Sequence, residues 1–565
     1  MKNKKMMVSI IAMVLILFIA TCSLGVYFTR NIKKPEEEVT KEGAKQQISK
    51  LVKKISPITS DPIKGKIEDL GTENLAESEL DDIANHPLSV EGKGDINIEI
   101  FSSPEKAGTD PTDKWLIEVA NDFNESNLEI AGKIGSVSIR NVNSGLAIDY
   151  IASGVYVPQA FSPSNMDWGD MLSAKGVEVT LKKERLAGNV AGILIKKEVF
   201  QRLEEEYGVL DLSSIVQAVV NNDLKMGYTN PYLSSSGLNC INSILLTLDE
   251  ENPFSEKAKK GFNDFQTNIP MVAFTTMELR KSGLSGRIDA LLIESQSLAN
   301  LPQYNDYEFV PFGIRHDEPI YAIGELSSEE NEVLDNFIDF CLNEKNQQLA
   351  TKYGFNQYES YVCELPKLSG EQIIQAQALY KKQKYGNKEI KAVFVADTSE
   401  SMKGDKMQKL KESLLNGMKY INEESNIGLI SYNSKVYIDM PIGKFDLNQM
   451  SLFSGAVNNW QPYGNTAMYN AMITAANMLL EDKEDNAKLV MFLLTDGQPN
   501  KGVINLEKTL EIISSSDITI YPIAFGENAD IDLLQNIGDI NEAEVINANV
   551  DDVIYQIKTL FNVQM

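Results

Sequence analysis

The chain has 565 residues, 43% hydrophobic and 8% aromatic, with 80 acidic against 53 basic side chains and a formal net charge of −27. That length exceeds what one hydrophobic core serves and implies about three or four domains. The acidity excludes a nucleic-acid partner, because no basic patch stands out against it, and most of the carboxylates read as solvated faces.

In chain order, residues 1–7 form a tip carrying Lys2, Lys4 and Lys5. Val8 to Phe28 follows without a charge. At ~1.5 Å rise per residue this run just crosses a bilayer core of ~30 Å, so 8–28 reads as a transmembrane anchor. The basic tip favours an N-terminus inside and the bulk of the chain outside the cell membrane. Arg30, Lys33 and Lys34 on the far flank oppose that bias. Cys22 after Ile19-Ala20-Thr21 offers the alternative of a bacterial lipoprotein box, from which Thr21 departs. Beyond the anchor, the odd count of Cys240, Cys341 and Cys363 gives no disulfide framework. Free buried thiols are the expectation, a Cys341–Cys363 bridge the alternative, and no spacing suggests zinc.

Residues 29–94 are polar and interrupted by Pro57, Pro62 and Pro87, with short helical patterns such as Gln46 to Ile55. They read as a stalk or linker. Asp95 to Phe101 alternates as a strand, and Trp115, Val119 and Phe123 share one face of a helix over Lys114 to Asn124. Val137–Ile139, Gly188–Lys196, Asp289–Ile293, Tyr307–Phe312 and Pro319–Ile323 are further strands, and Asn331 to Ala350 is an amphipathic helix. Such alternation means an α/β architecture.

Gly227-Tyr-Thr-Asn-Pro-Tyr-Leu-Ser-Ser-Ser-Gly237, Val310-Pro-Phe-Gly and Lys352-Tyr-Gly-Phe355 together resemble parts of the type 2 periplasmic solute-binding fold. The likeness covers about 95–365 and implies a two-lobed domain that takes a small solute. Ser102, Ser103, Thr229, Asn230 and Ser235, with Ser234 and Ser236, could donate to an anion at helix N-termini; ordinary turn and cap roles are the alternative. Ser162 and Ser164 carry the same ambiguity.

Residues 366–387 read as a helical linker. From 388 to 565 a last domain has strands at Lys391–Ala396, Ile427–Tyr432, Val436–Met440, Leu489–Leu494, Ile518–Phe525 and Glu544–Ile546. Helices at Met407–Glu423, Ala467–Glu481 and Val553–Phe561 fill the gaps. Near-continuous apolar strands suit a buried parallel sheet. Asp397-x-Ser399-x-Ser401 directly follows the first strand, and Asp496 follows the fourth after Thr495. Both therefore project from the carboxyl rim, where open α/β sheets collect ligands. Thr466 follows a turn-prone Pro462-Tyr-Gly-Asn.

Two carboxylates and three hydroxyls make an all-oxygen set suited to Mg²⁺, with Mn²⁺ or Ca²⁺ as alternatives. If hydroxyls hold the ion directly, it stays under-neutralised and attracts one more anionic oxygen. The arrangement resembles the metal-ion-dependent adhesion site of the von Willebrand factor type A family. Asp397, Ser399 and Ser401 match its first motif, Thr466 its second and Asp496 its third. The resemblance implies a doubly wound, Rossmann-like sheet, metal-assisted binding of a partner protein's Asp or Glu, and no catalysis.

An enzyme is not expected. His86 precedes Pro87 in the stalk, and His316 sits in an Arg-His-Asp-Glu loop where a solvated side chain is the default. No nucleophile elbow, phosphate-cradling loop or His-x-x-x-His pair occurs, and nothing singles out a pair of carboxylates. Two functions stay open: extracellular recognition of a protein through the metal, or a solute receptor whose middle domain signals through the last.

Overall fold

A computed structural model describes residues 41–65, 80, 82–108, 110–273, 276–384, 386, 388–418, 421–481, 487–496, 499–525, 529–538 and 546–548. The apolar run Val8–Phe28, Cys22 and the expected helix Val553–Phe561 lie outside these residues. Among the described residues no helix is long and apolar enough to cross a membrane.

The middle region is mixed α/β and built on two sheets. The first runs Leu88–Val90, Lys133–Asn141, Ile96–Ser102, Ala160–Ser162, Ile320–Ile323, Val179–Lys183 across its width. The second runs Met271–Ala273, Met226–Thr229, Ala290–Glu294, Val190–Lys196, Tyr307–Arg315. The chain crosses between the sheets after Lys183 and returns after Arg315, so each sheet anchors one lobe. Ile98, Ile100, Trp115, Val119, Phe123 and Phe337 fill the core of the first lobe. Ile193, Ile195, Tyr228, Ile241 and Ile244 sit in the second. The single helix expected over Asn331–Ala350 is two, Ser328–Leu342 and Glu344–Lys352. Asn343 breaks it by taking an extended backbone, and its side chain caps the second helix through the Asn346 N–H at 2.9 Å.

Residues 366–387 are not a free linker. Ser369 caps the helix Gly370–Gln383, and Ile373, Ala376 and Tyr380 are fully buried against the middle domain. Gln377 donates to the Pro231 carbonyl at 2.9 Å, and its own carbonyl accepts from the Tyr232 hydroxyl at 2.9 Å. The apolar face of this helix is simply short and flanked by lysines, which makes its sequence look like linker.

The C-terminal sheet runs Ile58–Thr59, Val436–Lys444, Asn426–Tyr432, Glu389–Asp397, Ala487–Thr495, Ile518–Phe525, Ile546–Ala548. Val436–Lys444 is antiparallel to its neighbour Asn426–Tyr432; the other pairs are parallel. Side chains alternate across the central strands. Phe394 stacks on Phe492 at 4.8 Å under the helices Asp405–Gly417 and Leu447–Asn459. Val393, Val395, Met491 and Leu493 face the helices Met468–Leu480 and Leu506–Ser514 on the other side. The sheet is thus covered on both faces, as apolar parallel strands require.

Its outermost strand comes from the segment expected as a stalk. Lys41–Ile55 is a helix whose Ala44 and Ile48 are fully buried, with Ile48 in the same core as Met472 and Leu479. Ile58 and Thr59 pair with Tyr437 and Ile438. Gly65 exchanges backbone and hydroxyl hydrogen bonds with Ser451 at 2.8 Å each. Residues 41–65 therefore belong to the C-terminal sheet rather than to a stalk.

Candidate functional site

Each part of the C-terminal site is placed by the end of an element. Glu389–Asp397 delivers Asp397 to the carboxyl rim, where it is fully buried. Its Oδ1 accepts from the Ser399 N–H at 2.8 Å and its Oδ2 from the Thr495 hydroxyl at 2.8 Å. Burial pushes the Asp397 carboxyl up, and the charge of Asp496 adds to this, while the hydrogen bonds from Ser399 and Thr495 oppose it. Two buried carboxylates on one rim create a strong demand for positive charge.

Hydrogen bonds tie the three loops together. Ser399 and Ser401 hydroxyls lie 3.0 Å apart, and Ser401 donates to Asp496 Oδ1 at 2.7 Å. The Glu400 N–H bonds the Gly464 carbonyl at 3.1 Å and the Tyr463 N–H bonds the Thr398 carbonyl at 2.9 Å. Thr466 is 4% exposed, and its N–H donates to Asn500 Oδ1 at 3.0 Å. Gly464 takes φ 78°, a turn geometry that favours glycine. Lys406, on the first turn of the following helix, pairs with Asp496 Oδ2. Nothing in the sequence pattern pointed to that lysine. The candidate ligand atoms are all oxygens, which fits a hard divalent ion, and the Lys406 ammonium at Asp496 already offsets part of their charge.

A second polar centre lies between the lobes of the middle domain. Glu105 follows the strand Ile96–Ser102, Glu294 ends the strand Ala290–Glu294, and Glu318 lies on the return crossing. One carboxylate oxygen from each falls within 4.8 Å of the others. Lys106, fully buried, donates to Glu318 Oε2 at 2.6 Å, to the Ser103 hydroxyl at 2.6 Å and to the Ser162 carbonyl at 2.9 Å. Glu294 accepts from Asn189 Nδ2 at 2.6 Å and the Ser236 hydroxyl at 3.1 Å, and lies 2.7 Å from His316 Nδ1. Burial raises the Glu294 carboxyl, but His316 and these hydrogen bonds outweigh it and hold the pKa below the usual value. Burial pushes Glu318 well up against the pull of Lys106, and burial with the Glu294 charge raises Glu105.

The expected anion donors divide. Ser103 and Ser235 reach this centre: Ser103 donates to Glu318 Oε2 at 3.3 Å, and Ser235 donates to Ser164, which in turn bonds Glu105. Ser102 is buried beside Ser103. Thr229 bonds Ser234, the cap of the helix Ser235–Leu248, at 2.7 Å, and Asn230 Oδ1 closes a turn onto the Tyr232 N–H at 2.8 Å. Those last residues make turn and cap contacts. His316, expected in solvent, is fully buried. Its Nε2 lies 3.1 Å from both Asn165 and Asn239. Cys240, Cys341 and Cys363 are all free, the first two buried.

Residues 392–563 match the family model of the von Willebrand factor type A domain, and residues 107–356 match that of the bacterial extracellular solute-binding protein. Inter-alpha-trypsin inhibitor heavy chain H3 of Bos taurus is 27% identical over 157 residues, 26% of this chain and 17% of that protein. The chain thus spans about a sixth of the length of that relative. Among solved structures, a von Willebrand factor type A protein from Catenulispora acidiphila shares 17% identity at a TM-score of 0.29, covering 31% of this chain and 42% of the other. Iron-bound HitA from Pseudomonas aeruginosa shares 14% identity at a TM-score of 0.37, covering 51% and 99%. The chain joins a bacterial extracellular solute-binding domain to a von Willebrand factor type A domain.

Proposed function

We propose that this chain is a cell-surface recognition protein that captures an Asp or Glu of a partner protein through a divalent metal held by Asp397, Ser399, Ser401, Thr466 and Asp496. The observation that carries this reading is the hydrogen-bonded rim in which Ser399 and Ser401 converge on two buried carboxylates, Asp397 and Asp496. Mg²⁺ suits the oxygen set best. When bound, the ion supplies an electrophilic position for one external carboxylate oxygen. The chain's own contribution is orientation: Thr495 fixes Asp397, and the Asn500 side chain holds the backbone of Thr466. The reading is of a binding protein, not an enzyme, held at the membrane by residues 8–28.

A pull-down from the native cell surface, with and without chelator and beside the Asp397→Ala variant, tests this. Capture that disappears in both arms is the expected result; capture indifferent to chelator sinks it. A second reading, a solute receptor that signals through the C-terminal domain, is favoured by the enclosed polar centre between the lobes.

A further inference from the structure

We propose that Glu105, Glu294 and Glu318 hold a hard divalent metal cation between the lobes of the solute-binding domain. The proposal deepens the receptor reading and rests on it only for the cleft's location; it is independent of the metal at Asp397.

The three carboxylate oxygens lie within 4.8 Å of one another, the spacing of oxygens that share one ion at ~2.0–2.6 Å. Charge argues the same way. Three carboxylates face the Lys106 ammonium, with the His316 ring against Glu294, so negative charge is left in excess when all three are ionised. Enclosed charge of this kind is costly unless it is matched. A divalent ion matches it, whereas an anion raises the cost.

Glu318 provides the independent pointer. It is fully buried, its Oε2 is engaged by Lys106 and Ser103, and among the described residues its Oε1 has no hydrogen-bond partner. A buried carboxylate oxygen left without a partner is costly. Its backbone sits at φ 52°, a left-handed conformation unusual for a glutamate. The chain thus holds this side chain at the crossing between the lobes. Around Glu294, Asn189, Ser236 and His316 fix the carboxylate's orientation, the supporting role outer partners play around metal ligands. Glu105 is only partly buried. With oxygen donors alone, the suited ions are of the Mn²⁺, Ca²⁺ and Mg²⁺ class.

The test uses the full chain in detergent carrying Asp397→Ala, which disables the other metal set, titrated with Mn²⁺ and read by electron paramagnetic resonance of the free ion. One Mn²⁺ per chain is expected to remain. Adding Glu105→Gln or, separately, Glu318→Gln should weaken that uptake at least tenfold. Glu105 is the more open position, so its variant keeps the test decisive if Glu318→Gln fails to fold; metal-free thermal unfolding checks both. No Mn²⁺ uptake by the Asp397→Ala chain overturns the proposal, as does uptake indifferent to the glutamine substitutions. Stabilisation by methylammonium without Mn²⁺ uptake, the mark of an organic-amine site, also overturns it.

Discussion

Ser401 donates its hydroxyl to Asp496 Oδ1 at 2.7 Å, joining two loops 95 residues apart. Ser401 is itself exposed, so its bond carries little of the fold's stability. Ser401→Ala is expected to weaken Mg²⁺ or Mn²⁺ binding at this rim about tenfold, the equivalent of ~1.4 kcal/mol, while the urea midpoint stays nearly unchanged. Titration of the metal beside equilibrium unfolding separates the two effects.

Lys406 competes for the same carboxylate. Its ammonium pairs with Asp496 Oδ2 while its side chain remains 24% exposed. Removing that charge by Lys406→Met should tighten metal binding by about fivefold, since a partly screened charge at this range is worth ~1 kcal/mol. Weaker binding in the variant would show that Lys406 supports the site rather than opposing it.

Ile48 tests the membership of residues 41–65 in the C-terminal core. It is fully buried against the helix that includes Met472 and Leu479. Ile48→Ala should cost about 2–5 kcal/mol of that domain's stability by leaving a cavity. A change below ~0.5 kcal/mol, the scale of an ordinary surface substitution, would mean the helix does not dock.

Asp167 sets a pH dependence in the middle domain. Burial is the main cause that pushes its carboxyl up to about 6, against the hydrogen bond from Asn242 at 2.9 Å. A carboxyl whose folded pKa exceeds its unfolded value near 3.8 favours folding while protonated. That stabilisation is full below the unfolded pKa and disappears as the pH rises through about 6. Asp167→Asn should therefore flatten the rise in melting temperature between pH 7 and pH 4 and raise it at pH 7, measured by calorimetry across that range.

The rim at Asp397 was legible because its residues follow apolar strands and sit in a recurring order along the chain. The helix at Lys41–Ile55 was half legible: a short helical pattern showed at Gln46 to Ile55, but such a pattern does not name its partner, here a helix beginning at Met468. The interlobe glutamates were not legible. Glu105 and Glu318 lie in separate polar stretches, where nothing in local periodicity distinguishes a carboxylate that tertiary packing will enclose from one left in water; Glu294 ends an apolar strand, as Asp397 does, but no recurring motif accompanies it. His316 was misread for the same reason, since its loop looks polar in sequence yet packs beneath Asn165 and Asn239.

The pairing of Ile58 and Thr59 with the edge of the C-terminal sheet has a mechanical consequence. The middle domain is bracketed in sequence by pieces of the sheet that carries Asp397. Under the proposed anchoring and capture, a pull between Lys41 and a partner at Asp397 runs through that sheet, to which both ends belong. The middle domain, with Glu318, then lies off that path.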